Sequence, residues 1–540
     1  MGTNFKTVLS KMKKILLAVS FITSSFCVFA QGSLSGDFMT NVNYYQRDSG
    51  ILTPDNSLYN DYLSGGESWL SLRYNYKGFT AFVRADAFHN SNLYDPKIAI
   101  SGYGLGAWSL SKDIKGLTAT AGYIYDQIGS GILFRSYEDR GLLLDNALVG
   151  LHLKYQLNDH LFIKGFTGQQ KNVRNFTRYN PIIKGLNIEG DYTLGNNIHI
   201  SPGIGMLNRT MDNESWLPVK SKVDAQDSSH RFYPRYNTYA FTAYNNLTVG
   251  DFSWYIEGAY KTHEAIEKDN VLQDLPGNVV YSTLGYARKG FAINLTGKRT
   301  ENFVMRTSPN ELLLRGLMNW QPIVARLRPQ RLLARYTPAS QDLSELALGT
   351  DVLLSPNDNL DVTLNYTHIN TLNDVKLYRE LYGEINFRGL EKWIFMAGAQ
   401  YLEYNQKLYQ VKDVPLFTAF TPFVEATYRF NDKTSIRTEW EYMFAKNDFG
   451  SWIFGLVELT IAPHWSFAVS DMYITNLNPN NLSGLKDPAH YYNIFAAYTK
   501  GPHRFTLSYV KQVDGINCTG GVCRYEPAFS GLKLGISSTF

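Results

Sequence analysis

Residues Leu532–Phe540 read LKLGISSTF and alternate apolar with polar or small side chains up to the aromatic last residue. Successive side chains of a β-strand point to opposite faces, so Leu534, Ile536 and Phe540 share one face and Lys533 lies on the other. The first face suits lipid and the second suits water. This stretch therefore predicts a strand that borders a membrane.

The same alternation recurs along the chain. Residues 149–157, 186–194 and 436–444 each place apolar side chains on one side and polar or charged side chains on the other. A soluble β-sandwich would pack the apolar side against a second sheet, whereas a membrane barrel turns it outward and keeps the polar side wet. The pattern predicts an all-β protein of one of these two kinds.

The composition favours the barrel. The chain has 37 Tyr, 31 Phe, 9 Trp and 43 Gly among 540 residues, and its mean hydropathy of −0.24 is expected where lipid-facing and water-facing residues alternate. Outside residues 15–29, no apolar stretch approaches the roughly 18 residues that indicate a helical span. The net charge of +4 is too small for this length to indicate nucleic-acid binding.

Turn signals fall into two length classes. Short turns such as Lys77-Gly78 and Gly250-Asp251 alternate with longer loops, including residues 128–146, 209–235 and 300–344. Counting the strands between these signals predicts about 24 antiparallel strands in up-and-down order. An even number brings both termini of the barrel domain to the side of the short turns. Aromatic residues near predicted strand ends indicate interfacial girdles; they are Trp69, Tyr155, Trp393, Trp452 and Trp465.

The long series of strands and the terminal Phe540 resemble Gram-negative outer-membrane porin-like barrels, especially the large uncharacterised barrels of Bacteroidota. The resemblance implies a transmembrane barrel in the outer membrane, in contact with lipid and lipopolysaccharide. It also implies that the barrel assembly machinery reads Leu534, Ile536 and Phe540 as a closing-strand signal. Transporters of similar strand number that depend on an energised inner-membrane partner carry an N-terminal plug domain. Here alternation starts by residues 38–44, so we expect no plug domain.

The beginning of the chain resembles a secretory signal peptide. Lysines between residues 11 and 14 precede an apolar run over residues 15–29, and cleavage after Ala30 would suit signal peptidase. Residues 1–11 are explained by an upstream start codon. Cys27 leaves lipoprotein processing as an alternative, for which Phe26 is a poor fit. We therefore expect a signal peptide over residues 1–30 and a single barrel domain over 31–540.

Arginines are concentrated between residues 299 and 335, where Glu301 and Glu311 are the only acidic residues. A loop that is this long and also rich in Leu is unlike a free solvent loop. Our leading hypothesis is that it folds into the barrel mouth or lumen and gives the channel a preference for anions. The alternatives are contact with lipopolysaccharide or a partner, or a buried plug whose arginines pair with lumen carboxylates. The candidate selectivity residues are Arg306, Arg315, Arg326, Arg328, Arg331 and Arg335.

A second candidate segment covers residues 132–146. Arg135, Glu138 and Arg140 lie there among leucines, and such mixed charges can form a constriction with a transverse field. The alternative is a set of ordinary salt bridges within a loop, each contributing little.

Cys518 and Cys523 flank a short Gly-containing loop. An exported protein meets an oxidising compartment, so the spacing favours a disulfide, with two free thiols as the alternative. A metal site is not expected, because no second ligand pair accompanies them.

These features predict a passive outer-membrane channel for small hydrophilic solutes, anions among them. The alternative is a non-conducting barrel that scaffolds an outer-membrane assembly or secretion complex and binds envelope proteins. A secreted adhesin is disfavoured by the terminal strand and by the lack of repeats. No catalytic cluster or phosphate-binding loop is recognisable, so we expect neither an enzyme nor a bound cofactor.

Overall fold

The computed structural model of the protein describes residues 32–48, 50, 61–95, 98–195, 197–268, 270–311, 315–339, 342–482, 485–513, 515–519, 522–526 and 528–540. The predicted signal peptide, residues 1–30, lies outside these ranges.

Twenty-four strands form one antiparallel sheet, in which each strand pairs with its neighbours in sequence. The first twelve are β1 (Ser33–Tyr45), β2 (Ser64–Tyr76), β3 (Phe79–Asp95), β4 (Ile98–Ile114), β5 (Leu117–Ile124), β6 (Leu148–Asn158), β7 (Leu161–Asn172), β8 (Thr177–Gly190, continued as Tyr192–Leu194), β9 (Ile198–Thr210), β10 (Asn237–Val249), β11 (Phe252–Lys268) and β12 (Val271–Arg288). The others are β13 (Phe291–Glu301), β14 (Glu345–Asn357), β15 (Leu360–Thr371), β16 (Lys376–Phe387), β17 (Trp393–Tyr404), β18 (Phe417–Asn431), β19 (Thr434–Ala445), β20 (Gly450–Ile461), β21 (Trp465–Leu477), β22 (His490–Lys500), β23 (His503–Gln512) and β24 (Phe529–Thr539).

The sheet closes on itself, because β1 pairs with β24 as well as with β2. Phe38 lies opposite Ser538, and the backbone groups of Gly36 and Phe540 exchange hydrogen bonds of 2.7 and 3.0 Å. Closure removes the unpaired edges that an open sheet would expose. The predicted antiparallel barrel of 24 strands is confirmed. Among the described residues, Gly32 alone precedes β1.

The two faces of the sheet differ as the alternation predicts. On β6, Leu151 and Leu153 are 46% and 42% exposed, whereas on β19 the inward-facing Glu441 is buried and its neighbour Trp440 is 52% exposed on the outside. An apolar outer surface and a polar inner surface are what a bilayer requires of a barrel wall. The barrel therefore presents a lipid-compatible exterior.

The connections are sorted by length between the two ends of the barrel. Turns such as Lys77-Gly78, whose residues both have positive φ (45° and 75°), join strands at the short-turn end. A left-handed conformation at both central residues matches the twist of the flanking strands. The longer connections lie at the opposite, long-loop end, and both β1 and β24 have their chain ends at the short-turn end.

The predicted aromatic girdle is correct for three residues and wrong for two. Tyr155, Trp393 and Trp465 are 40–44% exposed on the outside, close to the short-turn end. Trp69 and Trp452 are 1% and 0% exposed and pack inside the barrel. Both occupy inward-facing positions of their strands, and strand parity overrides the preference of Trp for the interface.

Short elements lie in the connections. They include helices α1 (Asn213–Asp224) and α2 (Gln406–Gln410) and the 3-10 turns Val173–Asn175, Ser228–His230 and Leu333–Arg335. Short paired strands are Gln127–Ile128 with Phe134–Arg135, Glu138–Asp139 with Leu144–Asp145, and Gly515–Thr519 with Val522–Glu526. No helix in the described ranges is both long and apolar enough to cross a membrane.

Candidate functional site

Two long connections fold into the barrel. The first inward segment, residues 125–147, joins β5 to β6, and the second inward segment, residues 302–344, joins β13 to β14. Their apolar side chains pack on inward-facing residues of β7 to β12. The buried cluster comprises Ile128, Ile132, Leu133 and Phe134 of the first segment, Phe303, Met305 and Met318 of the second, and Phe166, Ile183, Leu207, Ala240, Ala259 and Val279 of the wall. The chain itself therefore occupies this part of the lumen.

The second inward segment also reaches the opposite wall. Val324, Ala325, Leu332 and Tyr336 belong to a larger buried cluster whose other members lie on β14 to β22 and in the loops above them. Wall residues in this cluster include Ala347, Ile369, Tyr378, Leu402, Phe417, Met443, Trp452, Met472 and Tyr491. Burying a large apolar side chain contributes about 1.5–3 kcal/mol, so packing on two walls holds the segment across the lumen.

The two inward segments are joined by hydrogen bonds. The Arg135 backbone N–H donates to the Met318 carbonyl at 2.8 Å, and the Trp320 N–H donates to the Gly131 carbonyl at 2.9 Å. The Asn319 side-chain amide donates to the Ile132 carbonyl at 3.0 Å. Because backbone groups of both segments satisfy one another, the segments form one unit inside the barrel.

The first inward segment is anchored by a buried charge network around Arg84 of β3. The guanidinium contacts Asp86 at 2.6 Å, Glu138 at 2.6 Å and Asp145 at 2.8 Å. Lys171 of β7 lies 2.6 Å from the same Asp145 carboxylate. Burial alone would raise the pKa of Asp145, but Lys171 and Arg84 reverse this and hold it below its ordinary value. Asp145 therefore remains an anion that ties the segment to the wall.

The three predicted constriction residues have protein partners. Arg140 lies 2.7 Å from Asp37 and 3.0 Å from Glu138, and Glu138 also contacts Arg84. The Arg135 guanidinium lies 4.3 Å from the Tyr137 ring centroid and 5.0 Å from that of Trp320. Arg140 and Glu138 therefore pair with the barrel wall as well as with each other, and their role in a constriction stays a prediction.

The arginines of the second inward segment do not form a single cluster. Arg306 donates to the Arg315 carbonyl at 2.8 Å, and Arg315 pairs with Asp95 of β3 at 3.0 Å. Arg326 has a half-exposed side chain with Asp351 at 3.9 Å. Arg306 and Arg315 therefore lie beside each other, whereas Arg326 lies in another part of the segment.

Arg328 is a buried anchor. Its Nε lies 3.0 Å from Glu380 of β16, its Nη2 donates to Asn365 at 2.8 Å, and its guanidinium lies 3.6 Å from the Tyr382 ring centroid. The side chains of Arg328 and Glu380 are 4% and 0% exposed. A planar guanidinium suits this combination of carboxylate pairing and stacking.

Arg331 and Arg335 lie against the barrel wall at β19 to β21. Glu441 of β19 accepts the backbone N–H groups of Arg331 and Leu332 at 2.7 and 2.8 Å. Arg335 lies 4.5 Å from the Trp452 ring centroid and contacts the Met472 sulfur at 3.9 Å. Strand parity indicates that Glu441 faces the lumen, but sequence analysis missed the wall partner Glu380; its inward parity on a polar strand face is the one signal that marks it.

The remaining sequence predictions concern the end of the chain. In β24, Leu534 and Phe540 are 50% and 54% exposed and Ile536 is partly buried; their role as an assembly signal stays a prediction. Cys518 and Cys523 are directly opposite each other in a two-stranded hairpin, but their side chains lie outside the described part of the structure. In that part, no group of three or more His, Cys, Asp or Glu residues could hold a metal ion.

Comparison with known proteins gives a family and a set of distant structures. No curated protein matches the sequence. The P pilus usher (PapC) translocation pore has 10% identity and a TM-score of 0.45, with 94% of this chain and 99% of that chain covered. The ferric-catecholate import receptor Fiu from E. coli has 10% identity and a TM-score of 0.40, covering 94% and 82%. OccAB3 from Acinetobacter baumannii has 9% identity and a TM-score of 0.36, covering 95% and 100%. The chain belongs to DUF6029, a family of unknown function whose model matches residues 12–540.

Proposed function

We propose that the protein is an outer-membrane channel of a Gram-negative bacterium for small hydrophilic solutes, including anions, and that the two inward segments set its bore. The observation that carries the proposal is a closed barrel with a charged inner wall that the inward segments narrow. Near the short-turn end, Arg437 lies 2.8 Å from Glu425 and 3.1 Å from Glu458, and these side chains remain 21–32% exposed. A hydrated charged wall suits the passage of polar solutes.

Solute passage is tested by reconstituting the purified protein in liposomes and measuring swelling in a series of sugars of increasing size. A narrowed channel predicts entry of the small sugars and exclusion of the large ones. Equal impermeability to the whole series in vesicles that contain folded barrel would overturn the channel proposal.

Charge preference is tested by the reversal potential in a salt gradient. Arg326 and Arg331 are the arginines of the second inward segment to neutralise, because Arg328 belongs to a buried ion pair whose loss would disturb the fold. The Arg326→Gln/Arg331→Gln variant is expected to have a reversal potential shifted towards cation preference. An unchanged potential would remove both residues from selectivity.

The second candidate function is a non-conducting scaffold for an envelope assembly. The observation in its favour is the apolar packing of the second inward segment on both walls of the lumen. A scaffold predicts no conductance in any folded preparation and co-purification of envelope proteins after mild crosslinking.

Membrane contacts and assembly belong to the same proposal. The exposed apolar band is proposed to contact outer-membrane lipid, the long-loop end to contact lipopolysaccharide, and β24 to engage the barrel assembly machinery. A Phe540→Ser variant is expected to reach the outer membrane at a reduced level with an unchanged transcript level. An unchanged amount of heat-modifiable barrel would contradict a signal role for Phe540.

A further inference from the structure

A cavity of about 360 Å³ lies inside the barrel between the second inward segment and strands β20 to β24. Its volume is within the range typical of small-molecule sites. The lining includes Arg331, Phe454, Met472, Tyr491, Asn493 and Lys533. Strand alternation directs these wall side chains inward. The outward-facing residues of the same strands include Val469, Ile494 and Leu534, which are 56%, 52% and 50% exposed.

The cavity carries cations on two sides and has no carboxylate in its lining. Arg331 enters from the inward segment and Lys533 from β24. In the described part of the structure, the Arg331 guanidinium has no ion pair or hydrogen bond, and the residue is exposed and lines the cavity. A guanidinium in this position is available to a ligand carboxylate or phosphate.

Glu526 and Glu441 are the carboxylates that interact electrostatically with Arg331, and both have other partners. Glu441 accepts the backbone N–H groups of Arg331 and Leu332 at 2.7 and 2.8 Å. Glu526 accepts from the Gln512 amide at 2.8 Å. The first contact fixes the backbone from which the Arg331 side chain projects, and neither carboxylate forms an ion pair with the guanidinium in the described part of the structure.

Phe454, Met472 and Tyr491 supply an apolar surface beside the cations. They are buried to 6% exposure or less and belong to the same hydrophobic cluster as Trp452. A simple inorganic anion would leave this surface without a partner, whereas an aromatic ring would cover it.

We propose that this cavity is a binding site for a small organic anion in which an acid group is attached to an aromatic or other apolar body. The acid group pairs with Arg331, the charge of Lys533, whose Nζ lies 4.4 Å from the Phe529 ring centroid, adds to the positive potential, and the apolar body lies on Phe454, Met472 and Tyr491. The inference deepens the proposed channel function, because it names the class of solute that pauses in the lumen.

The test is equilibrium dialysis of radiolabelled benzoate against the full-length protein folded in detergent, with benzyl alcohol as the uncharged probe. Benzoate is expected to bind saturably and benzyl alcohol not to bind. The Arg331→Gln variant is expected to bind benzoate about tenfold or more weakly, because a hydrogen bond to a charged group is lost. Lys407→Gln, which removes the same charge from an exposed ion pair between α2 and Asp413, is the matched control and should bind benzoate as the wild type does.

Equal benzoate binding by wild type and Arg331→Gln, absence of benzoate binding, or equal binding of benzyl alcohol would each overturn the site. Heat-modifiable mobility on gels verifies that every variant is folded. Dialysis does not depend on conduction. Binding of benzoate without channel activity would support the site and reject the channel, whereas conduction without benzoate binding would support the channel and reject the site.

Discussion

Replacing Glu380 by Gln should release the second inward segment from the wall of β16. Arg328 and Glu380 are almost fully buried, and the substitution leaves the guanidinium without a counter-charge while preserving its contacts with Asn365 and Tyr382. Breaking one partner of a buried pair costs about 3–5 kcal/mol, and we take about 3 kcal/mol because those two contacts remain. At about 1.4 kcal/mol per tenfold change, the undocked population should rise by about 150-fold.

The assay is limited trypsin digestion of outer-membrane vesicles, followed on gels and by mass spectrometry of fragments that end within residues 326–335. Trypsin needs an extended backbone, and the cleavage rate follows the open population when opening and closing are faster than cleavage. The rate at these sites should therefore increase by about two orders of magnitude in Glu380→Gln.

The matched control is Asp413→Asn, which removes the carboxylate of an exposed pair with Lys407 and should leave cleavage unchanged. Arg328→Met/Glu380→Gln should be less susceptible than the sum of its single variants predicts, because the double variant contains neither buried charge. Wild-type cleavage kinetics in Glu380→Gln would refute the anchoring role of this pair.

Three further predictions concern the first inward segment and the charge network on the wall that anchors it. The folded-state pKa of Asp145 is lowered, so its contribution to docking of the first inward segment is fully present above its ordinary pKa. That contribution is lost as the pH falls through the lowered value. Amide exchange over residues 125–147, corrected for its intrinsic pH dependence, should therefore accelerate in acid. Gly106→Ala should displace Asp86, since a β-carbon at Gly106 would lie 2.0 Å from that carboxylate, and should destabilise the barrel in urea by about 1–3 kcal/mol. Phe134→Ala should lower the stability of the segment by about 3–5 kcal/mol, measured as increased proteolysis between β5 and β6, because its ring is buried 4.6 Å from that of Phe166.

The barrel was predictable from the sequence because its main signal is local. A two-residue period sorts Trp440 outward and Glu441 inward whatever the rest of the chain does. Position within the strand was also the better guide for Trp69, which shares the inward parity of Ser71 and is buried. The number of strands followed from the turns, which are equally local.

The construction of the lumen was not predictable in the same way. Arg328 and Glu380 are 52 residues apart in sequence, and the joint between Gly131 and Trp320 spans two different loops. Such contacts depend on the path of irregular segments, which have no period. The concentration of arginines drew attention to this segment but did not distinguish the buried Arg328 from Arg331, which lines the cavity.

The central claim is that the two inward segments govern passage through the barrel, and single-channel recording in a planar bilayer under a salt gradient tests it most directly. We predict small, stable conductance steps with an anion-sided reversal potential for the wild type, and larger steps that appear far more often in Glu380→Gln as the second inward segment undocks. Identical conductance in the two proteins, or silence of both in folded and inserted preparations, would contradict the account.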